Sequence, residues 1–369
     1  MASNDFTYSI QGKGLKFDTV EQLQPYLDEL KKLDQVRHIT LSGNTFGVDA
    51  AKAFADVLKT KNKIEVLDLS DIFTGRLRAE IPPALIAICD AIVDKENLVE
   101  LNLSDNAFGP AGAEPLVGFL INNKALRVLR LNNNGLGVHG GTFIAEALIK
   151  AHRKNQKEGK SSTLRTFIAG RNRLENGSST LLAQAFRCHE SLTEIRMPQN
   201  GIRSEGIVAL MEGISSLKNL EILDLQDNTF VEEGSYALSS VLSNWPKIRV
   251  LNVGDCLLKA KGALSLFDAL ISVKPAELEE LILTYNEVSE KGAFKLAEAV
   301  KHLKKLGKLE LNGNNFEEDS AAAKSIKDAL LEAGLEDTLG SLSDMEILTD
   351  GEEEDEVDEL ADKIGKLST

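Results

Sequence analysis

A chain of 369 residues that is 43% hydrophobic but only 5% aromatic must fill its interior with aliphatic side chains. Its net charge of −15 excludes nucleic acid and anionic membrane as main partners, since both reward lysine and arginine. Three scattered cysteines, Cys89, Cys188 and Cys256, exclude a disulfide framework and a zinc site and point to a reducing compartment. No N-terminal apolar stretch reads as a signal peptide, and no run of about 18 apolar residues could span a membrane.

Taken in chain order, LKFDT (15–19) reads as a degenerate first turn of a repeat. The pattern leucine-x-leucine-x-x-asparagine then recurs as ITLSGN (39–44), LDLSDI (67–72), LNLSDN (101–106), LRLNNN (129–134), FIAGRN (167–172), IRMPQN (195–200), LDLQDN (223–228), LNVGDC (251–256), LILTYN (281–286) and LELNGN (309–314). The sixth positions are spaced by 28, 34, 28, 38, 28, 28, 28, 30 and 28 residues. This is the signature of leucine-rich repeats. First and third positions alternate onto one face of a strand and enter the core. The sixth-position asparagine serves as a ladder rung, with Cys256 a weakly polar substitute and Ile72 none. Between strands, stretches such as 111–123 and 234–244 carry apolar residues at three- and four-residue intervals and predict helices. The fold class is therefore α/β: a solenoid or horseshoe of 28-residue, ribonuclease-inhibitor-like repeats, with an inner parallel sheet and outer helices, behaving as one extended domain. Segment 317–335 predicts a capping helix, so the array is expected over 1–336. The remainder, 337–369, is an acidic tail predicted to be disordered: residues 344–362 hold eleven acidic side chains and no basic one.

Two insertions break the period. Six extra residues follow Ile72 and place Arg76 and Arg78 on the rim where strands exit. Ten more fall in the basic stretch 152–163, on the opposite rim, and read as a solvated loop. The fifth strand position (Gly43, Asp71, Asp105, Asn133, Arg171, Gln199, Asp227, Asp255, Tyr285, Gly313) faces solvent on the exit rim. Its mixed charges, with Arg173 nearby, suit a protein-binding edge as well as simple solubility. No phosphate-cradling glycine loop or HExxH motif is present, and the five histidines are dispersed, with His139 and His189 expected on helix surfaces. Nothing here makes an enzyme by itself.

The strings SDIFTGR (70–76), LSDNAFGP (103–110), NNGLG (133–137), GRNRLENGS (170–178), QNGI (199–202) and LDLQDNTF (223–230), with an acidic tail, resemble the Ran GTPase-activating protein family over essentially the whole chain, at fungal-type length. The resemblance implies an activator that binds the small GTPase Ran in its GTP form. It would act as a monomer in the cytoplasm and support nucleocytoplasmic transport, with a Ran-binding protein as an additional partner. It would carry no cofactor of its own; GTP and Mg2+ belong to the GTPase. It further implies catalysis by an asparagine, matching Asn133, that holds Ran's own glutamine. Composition alone would favour Arg76 as an inserted arginine finger. The family reading speaks against this and leaves Arg76 to brace its loop or meet an acidic patch of Ran. Arg78, Asp105, Asn132, Arg171, Arg173 and Asp227 are candidate partner contacts. The alternatives are a leucine-rich scaffold or inhibitor with no activating role, for which the low cysteine count is atypical, and an actin-capping array, for which no actin-binding segment is seen.

Overall fold

Inward leucines at the first and third positions of each segment can be buried only against the equivalent residues of the next turn. The computed structural model, which describes residues 6–346, shows this stacking directly. Leu67, Leu101, Leu129 and Phe167 are buried and stand opposite one another in parallel register. Among the described residues, eleven strands form one parallel sheet in strictly sequential order, from Thr7–Ser9 to Lys308–Glu310. Helices such as Gly109–Asn122 and Val231–Val241 occupy the connections, within three residues of the predicted bounds. Each helix packs chiefly on the helices before and after it, as expected for a one-dimensional array.

The first turn starts earlier than LKFDT. The strand Thr7–Ser9 pairs with His38–Thr40, and Tyr8 and Ile10 take the inward positions. Lys16–Phe17, within LKFDT, instead pairs with Thr45–Phe46 in a separate two-stranded sheet.

The asparagine ladder is present. Asn134 is fully buried; its Nδ2 donates to Leu103 O (2.9 Å) and Leu131 O (3.0 Å), and its Oδ1 accepts from Asn106 N (2.9 Å). At the eighth rung, the Cys256 thiol lies 3.3 Å from Leu225 O and serves as donor there. Burial holds that thiol far above its usual range, so it stays protonated. Ile72 is buried and apolar: its N–H is taken by Asn106 Oδ1 (2.8 Å), but it offers no side-chain acceptor in return.

Two further boundaries differ from the sequence reading. The helix Gly137–Lys157 runs through half of the basic stretch, so 152–157 is helical. The rest is tied down: Thr163 Oγ1 donates to Leu126 O (2.8 Å), and Ser162 Oγ meets His189 Nδ1. His189 is therefore not a surface residue. It is 3% exposed, lies just past the helix Glu175–Cys188, and its Nε2 meets Leu148 O at 3.0 Å. Burial holds its pKa below the usual range.

At the C-terminus the predicted cap forms as the helix Ala321–Ala333, with Ser320 accepting from Ala323 N (3.1 Å). Packing does not stop at 336. Gly340 N donates to Leu309 O (2.8 Å), Leu342 is buried, and Glu346 N donates to Asn314 O (2.9 Å). The cap thus extends at least to Glu346, because Leu339 and Leu342 cover the open edge that the last strand would expose. The acidic run 348–360 lies outside the described residues.

Candidate functional site: the strand-exit rim

The fifth position of each segment is where the chain leaves the sheet, and its backbone geometry is uniform. Gly43, Asp71, Asp105, Asn133, Arg171, Gln199, Asp227, Asp255, Tyr285 and Gly313 all have positive φ, between 48° and 72°. Left-handed backbone costs most L-residues about 1–2 kcal/mol, and glycine, asparagine and aspartate least. This explains why the row is rich in those three residues. The strain is offset by a regular stack of hydrogen bonds: Asp105 N to Asn132 O (2.8 Å), Asn133 N to Gly170 O (2.9 Å), Arg171 N to Pro198 O (2.9 Å) and Asp227 N to Gly254 O (2.9 Å).

The three consecutive asparagines divide their work. Asn134 is the buried rung. Asn132 is half-buried and spans to the next repeat, its Oδ1 accepting from Gly170 N at 2.6 Å. Asn133 alone is exposed, and its Nδ2 donates to Asp105 Oδ1 at 3.0 Å. The Asn133 Oδ1 accepts no hydrogen bond among the described residues.

The inserted loop packs differently from an open solvent loop. Phe73 turns inward and is buried. The Arg76 side chain is only 6% exposed. Its guanidinium donates to Thr45 Oγ1 (2.8 Å), Thr45 O (2.9 Å) and Phe17 O (3.2 Å), and it pairs with Asp18. That hydrogen bond holds the Asp18 carboxyl below the usual range. Arg76 thus ties the loop to the first two repeats and points away from solvent. Leu77 and Arg78 point outward, Leu77 being 72% exposed. Glu80 Oε2 accepts from Leu77 N (2.8 Å), which steadies the tip.

Farther along the rim, Arg171 and Arg173 are exposed and form no ion pair among the described residues. Asp227 lines a polar cleft of about 410 Å³ with Arg173, Gln199 and Asp255. The exit rim therefore carries, in order, a braced loop with Arg78, the Asp105–Asn133 pair, two free arginines and an acidic cleft. Sequence reading places all of these on one edge. It misses the burial of Arg76, for which Asp18 and Thr45 give no local signal. It also misses the Asp105–Asn133 hydrogen bond, which follows from two left-handed residues in adjacent turns.

Among the described residues no helix is long and apolar enough to cross a membrane, and no three potential ligands cluster to hold a metal. The model of the Leucine Rich repeat family matches residues 95–117 and 277–297. The chain is 39% identical over 325 residues to Ran GTPase-activating protein 1 of Saccharomyces cerevisiae, covering 85% of this chain and 80% of that one. It is 45% identical over 201 residues to Ran GTPase-activating protein 1 of Xenopus laevis, covering 54% of this chain but only 35% of the frog protein. The ribonuclease inhibitor of Sus scrofa is more distant, at 27% over 141 residues, or 38% of this chain and 31% of that one. On the yeast match, with its coverage of both chains, the chain belongs to the family of Ran GTPase-activating proteins.

Proposed function

We propose that this protein accelerates hydrolysis of GTP bound to Ran, and that it does so by positioning Ran's own glutamine with the Asn133 carboxamide. Phosphoryl transfer in a GTPase needs an oriented water and stabilised charge, and GTP, Mg2+ and the phosphate loop all reside on the GTPase. The activator has then only to fix a mobile side chain, a contribution from orientation alone. A carboxamide suits the task because it offers a donor and an acceptor to another carboxamide. The observation that carries this reading is that Asn133 is the only one of three consecutive asparagines left exposed, with a free Oδ1, on the rim between the braced loop and the two exposed arginines. The buried guanidinium of Arg76 supports a bracing role in place of an arginine finger.

In this reading Arg78, Arg171, Arg173 and Asp227 meet the surface of Ran around the nucleotide, and Asn132 shapes the turn that presents Asn133. The partner is Ran in its GTP form, with a Ran-binding protein as an additional component. The protein works as a monomer in the cytoplasm and supports nucleocytoplasmic transport. The acidic tail also fits. Asp344 Oδ2 accepts from Asn312 Nδ2 (2.8 Å) and from Tyr285 Oη (3.3 Å), so the chain approaches its acidic run from the exit rim. A negative segment on this chain would speed encounter with a basic GTPase surface.

The test is single-turnover hydrolysis of Ran-bound GTP with this protein in trace amount. Many turnovers per molecule, abolished in Asn133→Ala, support the reading. An effect that needs stoichiometric protein, or none, makes it a scaffold or inhibitor.

A further inference from the structure

We infer that Asp105 is a positioning residue that fixes which end of the Asn133 carboxamide meets the partner. The inference rests on the reading of Asn133 given above and assigns Asp105 a role within the protein, in place of a direct contact with Ran.

The geometry is specific. Asp105 and Asn133 hold the same place in adjacent turns, with φ of 62° and 52°, so both side chains project from the rim along similar directions. Asn133 Nδ2 donates to Asp105 Oδ1 at 3.0 Å. A carboxylate is only an acceptor, so the flipped amide would set its Oδ1 against Asp105 Oδ1 and lose the bond. The hydrogen bond therefore selects one orientation and leaves Oδ1 as the group turned to the partner. A charged acceptor also makes the stronger class of hydrogen bond and polarises the amide, which makes Oδ1 the better acceptor. The partner glutamine then donates its amide N–H to Asn133 Oδ1 and keeps its own carbonyl oxygen for the attacking water. Without Asp105, Asn133 would sample both orientations, and one of them would present an N–H where the glutamine also has one.

The substitutions that test this keep the left-handed backbone. Asp105→Gly removes the acceptor at little conformational cost, and Asp105→Asn keeps an acceptor oxygen on a residue that tolerates positive φ. With Ran-GTP titrated against trace protein, Asp105→Gly should lower kcat by about three- to tenfold, from loss of one amide orientation in two and of the fixed Asn133 rotamer, with KM within about twofold. Asp105→Asn can donate as well as accept, so it holds the Asn133 side chain without choosing its orientation and should recover only part of the rate. A rise in KM with kcat intact would make Asp105 a partner contact and overturn the inference, as would wild-type kinetics in Asp105→Gly. Asn133→Ala separates the two levels. If it is inactive while Asp105→Gly is normal, only the Asp105 role fails; if it is fully active, the Asn133 reading fails and takes the Asp105 role with it. A measurement on the free protein does not depend on the glycine variant folding. The Asn133 side-chain NH2 resonances, identified by their absence in Asn133→Ala, should have one proton shifted downfield, and the pair should move in Asp105→Asn. A pair at free-amide positions in the wild type overturns the inference.

Discussion

Replacing Arg76 by alanine distinguishes a brace from a finger, because the two roles predict opposite patterns. The guanidinium donates three hydrogen bonds to Thr45 and Phe17, at 2.8, 2.9 and 3.2 Å, from a side chain only 6% exposed. At roughly 1–1.5 kcal/mol net for each, their loss costs about 3–4.5 kcal/mol, leaving out the half-exposed Asp18 pair. In a repeat array the loss is local, since each turn is held only by its neighbours. The affected amides are those that couple the first repeats to the loop: Gly47 N on Phe17 O (2.8 Å) and Phe46 N on Ile72 O (2.9 Å). Hydrogen exchange there should quicken by about 10²–10³-fold, the local equivalent of that free energy. Exchange around Leu223 and Leu251 should stay unchanged. Turnover should fall less than about tenfold, because Phe73 and the Glu80–Leu77 contacts still hold the loop. A finger predicts the reverse: a loss of about 10³–10⁵ in rate with exchange unaltered. That outcome would refute the bracing role.

Asn134→Ala removes three buried hydrogen bonds and should cost about 2–5 kcal/mol in urea unfolding, whereas Asn133→Ala should cost about 1 kcal/mol, the price of alanine at positive φ. Equal losses would mean the ladder and the rim are not separable. His189 titrates below its unfolded value because burial disfavours the cation, so its contribution is complete above about pH 6.5 and declines as pH falls through the folded value. The urea midpoint of the wild type should therefore drop more between pH 7.5 and pH 5.5 than that of His189→Gln; equal drops would assign the loss to other groups. Truncation after Glu346 should slow association with Ran-GTP, most visibly at low salt, and leave kcat unchanged. Truncation after residue 339 should also destabilise the last repeats, since Leu342 and the Glu346 N–H close the array there.

The repeats were legible because their physics is periodic. Burial of leucine pairs such as Leu129 and Leu131 and the amide of Asn134 recur in each turn, so composition at fixed spacing reports them. Terminal elements were less legible, since a cap has only one neighbour and need not obey the repeat. Tyr8 with Ile10, and Leu339 with Leu342, perform the work of leucine pairs without the motif. In the site, the exit rim and its charged residues followed from register alone. The pairing of Arg76 with Thr45, 31 residues earlier, and the burial of His189 against Leu148, 41 residues earlier, depend on tertiary packing that no local pattern encodes. The left-handed row had a visible trace, the glycine, aspartate and asparagine at successive fifth positions, and Arg171, Gln199 and Tyr285 obscured it.

The most direct test is a structure of this protein bound to Ran carrying GDP and a transition-state mimic of the γ-phosphate. The account predicts Asn133 Oδ1 within hydrogen-bond distance of the Ran glutamine side chain, Asp105 still holding Asn133 Nδ2, and Arg76 still bound to Thr45. A complex with the Asn133 amide far from the mimic, or with an arginine of this chain inserted beside it, would contradict the account.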